Sequence, residues 1–473
     1  MLQKLYSVVT TGPRRAIRGR RMVRGPVEKS ASSEGLLAVL DAPDRVSEQL
    51  RNELAGFDQE ELAKGIRAIK RLLDCCLIAM AWTMFACNYF DRSCLTLSEL
   101  MGLRSDLSMN SNEYGLAMML LFIAYVLAQV PSNLYLAKGR PSVYLPTAML
   151  LWGCVCTTTA FVKTPGALYA VRSLLGLLEA PFCVGCLFLI SSWYTRTELG
   201  LRSAILLSAP MMANAFAGVI AFGIHDSIDG ACGLEGWRWL FIVGGAVTII
   251  IACIAFFTLP DYPHNTRWLY EEERALAQLR LIADRGASEY DVSRIVGLKM
   301  ALNSWQVWMF AGMYFLLAIG TSLHNFFPSV VQTLDFSRTT TLWMTAPPYL
   351  FAVVVAISTA LSADRHRNAS FHIIGTTALA IVGYLLFLLE QSTDRGDVWA
   401  RYASTFLMIA GAHAANPMVL GWTQKTVPQP REMRATAIAI VNTSGTIAQI
   451  ATSELYPKRW APRYIQSMSL NTA

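Results

Sequence analysis

The sequence predicts an all-α polytopic membrane protein, in which two bundles of transmembrane helices are joined by a long polar connection. Composition is the first sign: of 473 residues, 54% are hydrophobic and 15% charged, against about 25% charged in soluble domains. Segmentation is the second, because the apolar residues fall in blocks of about 20, the length that carries a helix across about 30 Å of hydrocarbon. The third is the polar stretch from Asp261 to about Leu302, which divides the blocks into two sets. Backbone amides in hydrocarbon need partners within their own segment, and long continuous blocks suit helices better than the alternating strands of a barrel.

Residues 1–71 hold no span and read as a cytosolic tail. The first 27 residues contain no acid, and Arg14, Arg15, Arg18, Arg20, Arg21 and Arg24 supply much of the net charge of +7. A mitochondrial transit peptide has this composition too, but a tail that meets anionic lipid or fixes orientation is the simpler reading, and it excludes a nucleic-acid partner. Glu60 to Arg71 forms a short amphipathic helix leading into the membrane.

Eleven spans follow, at about 72–96, 113–136, 143–163, 166–190, 203–225 and 237–258, then 304–327, 341–361, 370–389, 400–421 and 433–454. The first six make an N-terminal bundle, 72–258, and the last five a second bundle, 304–454, followed by a polar tail, 455–473. Between them the connection 259–303 opens a helix at Glu271, Glu272, Glu273 and Arg274. A long loop between two sets of spans is the layout of a transporter built from two related halves. A faint repeat agrees: the turn Leu136 to Pro141 after the second span and the turn Ser362 to Arg367 after the eighth are both short and basic.

Orientation follows from the short loops. With the N-terminus in the cytosol, the cytosolic loops carry Lys138, Arg140, Arg196, Arg202, Arg365, Arg367, Lys425, Arg431 and Arg434. The opposite loops are acid-rich, with Glu99, Asp106, Glu113, Asp226, Asp229, Glu235, Asp335, Glu390, Asp394 and Asp397. An eleven-span chain then leaves Lys458, Arg459 and Arg463 outside, against that same preference, so the sequence reads as a product lacking a twelfth helix.

Ionisable groups inside spans are costly and mark function by default. Arg172, Gly176, Glu179 and Pro181 lie in the fourth span. Arg172 and Glu179 are seven residues apart, so they share a face about 10 Å apart along the axis and cannot pair with each other. In the first span Asn88, Tyr89, Phe90, Asp91 and Arg92 sit toward the non-cytosolic end, where Arg92 can also snorkel and Asp91 can simply neutralise it. His324 and Asn325 close the seventh span. Each has a plainer alternative as a packing or interhelical clamp. Pro131, Pro181, Pro210, Pro347, Pro348 and Pro417 interrupt spans, which in transporters often borders a cavity.

Other chemistries lack their residues. There is no Gly-rich loop ending in Gly-Lys-Ser/Thr, no HExxH and no GxSxG, so neither ATP hydrolysis nor these catalytic centres is expected. Of the ten cysteines only Cys232 reads as loop-exposed, and the Cys183/Cys186 pair has no second pair to make a metal site. No metal and no cofactor is expected.

NYFDRS in the first span, RSLLGLLEAP in the fourth followed by Ser192 to Arg196, Gly236 to Phe241, and LPDYPHNTRWL together resemble the anion:cation symporter family of the major facilitator superfamily. Phe327 and Pro328, Ala346 to Tyr349, Ala363 to Arg365 and Tyr456 to Tyr464 extend the resemblance over about residues 65–465, nearest to its fungal allantoate permease branch. The resemblance implies the major facilitator fold, two six-helix bundles, with the second here one helix short. Residue by residue it gives Arg92 and Arg172 the binding of anion and Glu179 the coupling to protons. Relatives carry Asn at Cys94, Pro at Asp74 and Gly at Pro181.

The expected function is proton-driven import of a small organic carboxylate, such as allantoate, nicotinate or pantothenate, by alternating access. Arg172 and Arg92, with Asn88, His324 and Asn325, would hold the anion, and Glu179 with Asp91 would carry the proton. The chain would act as a monomer in the plasma membrane, its partners being the anion, the proton and the lipid. A non-transporting nutrient sensor and a drug/proton antiporter are the rival readings, and the intramembrane arginines count against a cationic drug.

Overall fold

The computed structural model describes residues 59–136, 139–267, 269–285, 293–321, 327, 331, 338–366, 368–392, 398–427 and 430–452. Every regular element among them is helical. The amphipathic lead α1 (Gln59–Leu73) passes through a π-helical turn, Asp74–Ile78, directly into α2 (Ala79–Leu100), so lead and first span are one rod. The first half continues with α3 (Ser111–Leu136), α4 (Pro141–Thr159), α5 (Pro165–Glu179), α6 (Phe182–Trp193), α7 (Arg196–Ser227) and α8 (Gly236–Thr258). Local chemistry sets these boundaries. Pro141 and Pro165 occupy first turns, where a missing N–H costs nothing, and Thr164 caps α5 through the amide of Ala167 at 3.3 Å. Thr195 and Glu198 form a capping box at the start of α7. The fourth predicted span is one unit, Pro165–Trp193, with a local interruption at Ala180 and Pro181 between α5 and α6, where Pro181 cannot donate to the preceding turn.

After the linker helices α9 (Glu271–Arg285) and α10 (Arg294–Asn303), the second half holds α11 (Trp305–Thr321), α12 (Arg338–Met344), α13 (Ala346–His366), α14 (Ala369–Ser392), α15 (Val398–Thr426) and α16 (Arg431–Thr452). Pro347 and Pro348 do not kink a span, as the sequence suggested; they lie in the first turn of α13 and start it. Eight helices are long and apolar enough to cross a membrane, or nine if α10 and α11, bent by 72°, form one span. Two further predicted spans are helical but less apolar, α4 and α16. α16 is more polar because it packs against α11, α3 and α6, and its Arg434 and Thr436 are buried in protein.

Small residues bring the helices together. Gly153 of α4 and Gly245 of α8 face each other so closely that a Cβ on Gly245 would lie 2.8 Å from the Gly153 carbonyl. α2 packs on α7 and α8, and α3 on α5; in the second half α11 packs on α16, and α15 on both α13 and α14. The halves meet where α7 lies against α13 and α15 and where α3 lies against α16.

The linker is clamped to the first half. Trp193 Nε1 donates to the Asp261 carbonyl at 2.9 Å, the Tyr262 hydroxyl to the Leu136 carbonyl at 2.7 Å, and Arg280 Nη2 to the Trp193 carbonyl at 3.1 Å. Arg280 also pairs with Glu198 at 2.7 Å, and Lys70 of α1 pairs with the same carboxylate. Burial pulls the Arg280 guanidinium below its ordinary value, opposed by the Glu198 charge. The end of the molecule that carries this network is called the linker end below, and the opposite one, with Asp106, Asp229 and Glu235, the far end. The basic turns compared in the sequence are described only in part, since Lys138 and Arg367 lie outside the described residues.

Candidate functional site

The site begins on one face of α5. Arg172, Gly176 and Glu179 recur at helical spacing, and Gly176 lets that face lie against α3: a Cβ there would collide with the Leu121 carbonyl and meet Ala124 Cβ at 3.0 Å. Glu179 is the last residue of α5, where the helix already presents partial negative charge from its free carbonyls. A second negative charge there needs a cation, and α2 supplies it. Arg92 Nε donates to Glu179 Oε2 at 2.7 Å, with the Glu179 side chain 1% exposed and that of Arg92 16%. The guanidinium lies 4.7 Å from the Tyr125 ring centroid and 5.3 Å from that of Tyr89. Aromatic faces are weak compensation for lost water, so the carboxylate is the partner that keeps the charge. Glu179 Oε1 has no hydrogen-bond partner among the described residues.

Arg172 is placed differently. It is 1% exposed, its Nε and Nη2 find no acceptor among the described residues, and its guanidinium lies 5.6 Å from the centroid of the Phe241 ring. Unmet donors on a buried cation cost several kcal/mol, of order 1–3 for each hydrogen bond left unmade, unless a ligand supplies acceptors. Arg172 lines a cavity of about 60 Å³ toward the far end, with Arg92, Ser93, Asn214, Thr345 and Gln449. A second cavity, about 70 Å³, lies between the halves and shares Arg92, Tyr89, Asn214 and Gln449 with the first, adding Asn88, Asn442 and His413. Asn88 Nδ2 is buried there without an acceptor among the described residues.

The structure thus places Arg92, Arg172 and Asn88 in the lining of the two cavities, with Glu179 reaching the site through its ion pair with Arg92. It sets Asp91 apart: its Oδ2 accepts from Trp152 Nε1 and Thr248 Oγ1, both at 3.1 Å, so it ties α2 to α4 and α8 and does not neutralise Arg92, as the sequence allowed. Successive helical residues point about 100° apart, which is why neighbours in sequence serve different neighbours in space. His324 and Asn325 lie outside the described residues.

Sequence reasoning passed over Asn214, Gln449, Gln129 and His413. Asn214 Oδ1 accepts from Ser93 Oγ at 2.6 Å across α7 and α2, and Gln129 Oε1 accepts from Thr443 Oγ1 at 2.6 Å across the two halves. The rule that singled out charges inside spans applies to amides as well, and extended to Asn and Gln it would have found three of the four. Among the described residues no group of three or more His, Cys, Asp or Glu could hold a metal. Cys183 and Cys186 are buried, and Cys183 Sγ lies 3.9 Å from Asn442 Oδ1.

The chain is similar to known proteins in sequence and in fold. The sequence profile of the Major Facilitator Superfamily matches residues 81–453. The MFS-type transporter efuF of Hormonema carpetanum is 31% identical over 414 residues, covering 85% of this chain and 80% of its own. The major facilitator-type transporter hxnP of Emericella nidulans is 31% identical over 416 residues, covering 85% and 81%. Among solved structures, the proton:xylose symporter XylE bound to 6-bromo-6-deoxy-D-glucose superposes with a TM-score of 0.64 at 16% identity, covering 84% of this chain and 94% of that one. At that identity the likeness speaks for the fold alone.

Proposed function

The chain belongs to the major facilitator superfamily and is a multi-pass membrane transporter, and from that premise we propose that its substrate path runs between the two helical halves and that it imports a small organic anion together with a proton, as the anion:cation symporters of the allantoate permease kind do. The observation that carries this reading is the 2.7 Å Arg92–Glu179 pair, whose arginine lines two cavities, the first of them lined also by Arg172, with its Nε and Nη2 unmatched among the described residues.

The coupling follows from charge balance. A substrate carboxylate entering the far-end cavity meets Arg172 first and then Arg92, whose ion-pair partner among the described residues is Glu179. Bidentate binding of the substrate draws the guanidinium from Glu179. Glu179 is then a carboxylate at a helix C-terminus in protein, with no counter-ion, and the least costly resolution is a proton. Anion and proton load together, the charge added to the cavity is zero, and the halves can exchange access without dragging a bare charge through hydrocarbon. On release the carboxylate leaves Arg92, Glu179 recaptures it and the proton departs.

Asp91 takes a positioning part in this scheme: held by Trp152 and Thr248, it fixes the rotation of α2 that turns Arg92 toward Glu179. Asn88 supplies an amide donor to the substrate from the central cavity. The linker end faces the cytosol, a reading supported by Arg140, Arg202, Arg365 and Lys425 at that end and by Asp106, Glu113, Asp229 and Glu235 at the other. The membrane is the plasma membrane and the chain works alone. Purified protein in liposomes, given labelled allantoate, nicotinate, pantothenate and biotin in turn under an inward proton gradient, tests the proposal. Uptake of at least one above the gradient-free level is expected; no uptake of any, with folded protein shown in the same vesicles, refutes it for this set.

A further inference from the structure

The side-chain amides that line the central cavity fall into two groups. Asn214 Oδ1 accepts from Ser93 Oγ at 2.6 Å and Asn442 Oδ1 faces the Cys183 thiol at 3.9 Å, so both are tied to neighbours. Asn88 and Asn416 differ: Asn88 Nδ2 and Asn416 Oδ1 are buried, and neither has a hydrogen-bond partner among the described residues. Asn88 is only 2% exposed, so bulk water is a poor substitute there. A buried donor and a buried acceptor left unmatched are costly, and a site that holds them rejects a ligand unable to pair them. Such a site selects a ligand group that offers both.

The positions of the two asparagines narrow that group. Asn88 and Arg92 stand four residues apart on α2 and line the same cavity, so they share a face about 6 Å apart along the axis. Asn416 lines the cavity from α15, in the second half. One helical turn from the arginine, the cavity thus holds an unmatched donor from one half and an unmatched acceptor from the other. A carboxamide answers both, because its carbonyl and its N–H groups are separate atoms in one plane, and it does so whichever way round either asparagine turns. A second carboxylate has no hydrogen to donate, an ammonium no lone pair to accept with, and an alkyl group neither.

We infer that the central cavity selects carboxylates that also carry a neutral amide about one helical turn away, with Arg92 on the carboxylate and Asn88 and Asn416 on the amide. The inference rests on the anion-transport reading above and names the substrate class for it. It also divides the substrate between the halves. Among the described residues the arginines of the two cavities, Arg92 and Arg172, belong to the first half, so the amide is the part of the substrate that both halves hold.

Matched acids test it, by isothermal titration calorimetry on the full-length chain in phosphatidylcholine nanodiscs at one fixed pH, with the heat of empty discs subtracted. Glutaramate, whose two ends lie about 5 Å apart when extended, is set against 5-methylhexanoate, which has the same shape without the amide, and against 5-hydroxypentanoate. Glutaramate should bind about a hundredfold more tightly than 5-methylhexanoate, about tenfold for each asparagine satisfied. Asn88→Leu and Asn416→Leu should each cut that preference to about tenfold and the double variant should abolish it, with the affinity for 5-methylhexanoate unchanged. General loss of structure would weaken both acids together, and the comparison in the parent chain decides the matter if a variant loses its monodisperse peak. Equal binding of glutaramate and 5-methylhexanoate, tighter binding of the hydroxy acid, binding of neither, or a preference that survives in the double variant overturns the inference. Failure of the transport reading is read separately: the glutaramate preference with no uptake of any anion, glutaramate included, by liposomes under an inward proton gradient keeps the subsite and removes the transport, and uptake without the preference does the reverse.

Discussion

Replacing Glu179 by Gln keeps the size of the side chain and one acceptor for Arg92 but removes the group proposed to carry the proton. In the parent protein the pair is 2.7 Å long with both partners inside the bundle, so loss of the negative charge leaves Arg92 as a buried cation without a counter-ion. Breaking such a pair costs about 3–5 kcal/mol, and an incoming carboxylate recovers part of that, so the variant should bind anion more tightly in the ground state. Coupling should vanish. For one proton carried per monovalent anion, each pH unit of gradient is worth about 1.4 kcal/mol, or about tenfold accumulation. Liposomes with a one-unit inward gradient should therefore accumulate labelled anion about tenfold with the parent chain and reach only equilibrium with Glu179→Gln. Exchange of labelled for unlabelled anion should survive, which separates lost coupling from lost folding. If the variant still accumulates anion about tenfold, the assignment of Glu179 is wrong.

Further expectations follow from particular contacts. Arg172→Lys keeps the charge but loses the planar fork, so the half-saturating anion concentration for uptake should rise about tenfold, near 1.4 kcal/mol, and Arg172→Gln should raise it further. Asp91→Asn retains acceptor and shape toward Trp152 and Thr248 and should leave the accumulation ratio within about twofold of the parent, whereas Asp91→Leu, which leaves two buried donors unmatched at about 1–3 kcal/mol each, should lower the thermal stability in detergent. Gly176→Val places methyl groups against the Leu121 carbonyl, and overpacking of about 1–3 kcal/mol or more should show as a reduced monodisperse peak in size-exclusion chromatography. Cys232, exposed in the turn Ala231–Gly233 at the far end, should react with a membrane-impermeant maleimide added to intact cells; labelling only after permeabilisation would invert the proposed orientation.

Much of the architecture was legible because lipid imposes it. A segment that must bury its own amides announces itself as a block of apolar residues, and the blocks became helices with edges set by Pro141, Pro165 and the Thr195 cap. What α16 shows is that a helix packed against its neighbours in protein escapes that rule: it is helical in spite of its Arg431, Glu432 and Arg434. The shared face of Arg172 and Glu179 could be read from a spacing of seven. The partner of Glu179 could not: Arg92 stands 87 residues away in another helix, and the choice between Arg92 and Asp91 turns on the rotation of α2. The linker looked like a free polar connection because nothing in the sequence of Arg280 or Tyr262 shows that Trp193, Glu198 and Leu136 receive their hydrogen bonds.

The central claim, that an anion at Arg92 obliges Glu179 to take a proton, is tested most directly by letting the anion drive the proton. Liposomes containing the purified protein and a trapped pH indicator are given an inward gradient of transported anion with no pH gradient imposed and the membrane potential clamped at zero. The account requires the lumen to acidify as anion enters, with about one proton for each monovalent anion counted by label, and requires Glu179→Gln to admit the anion with no acidification. Anion entry by the parent chain at constant luminal pH would contradict it.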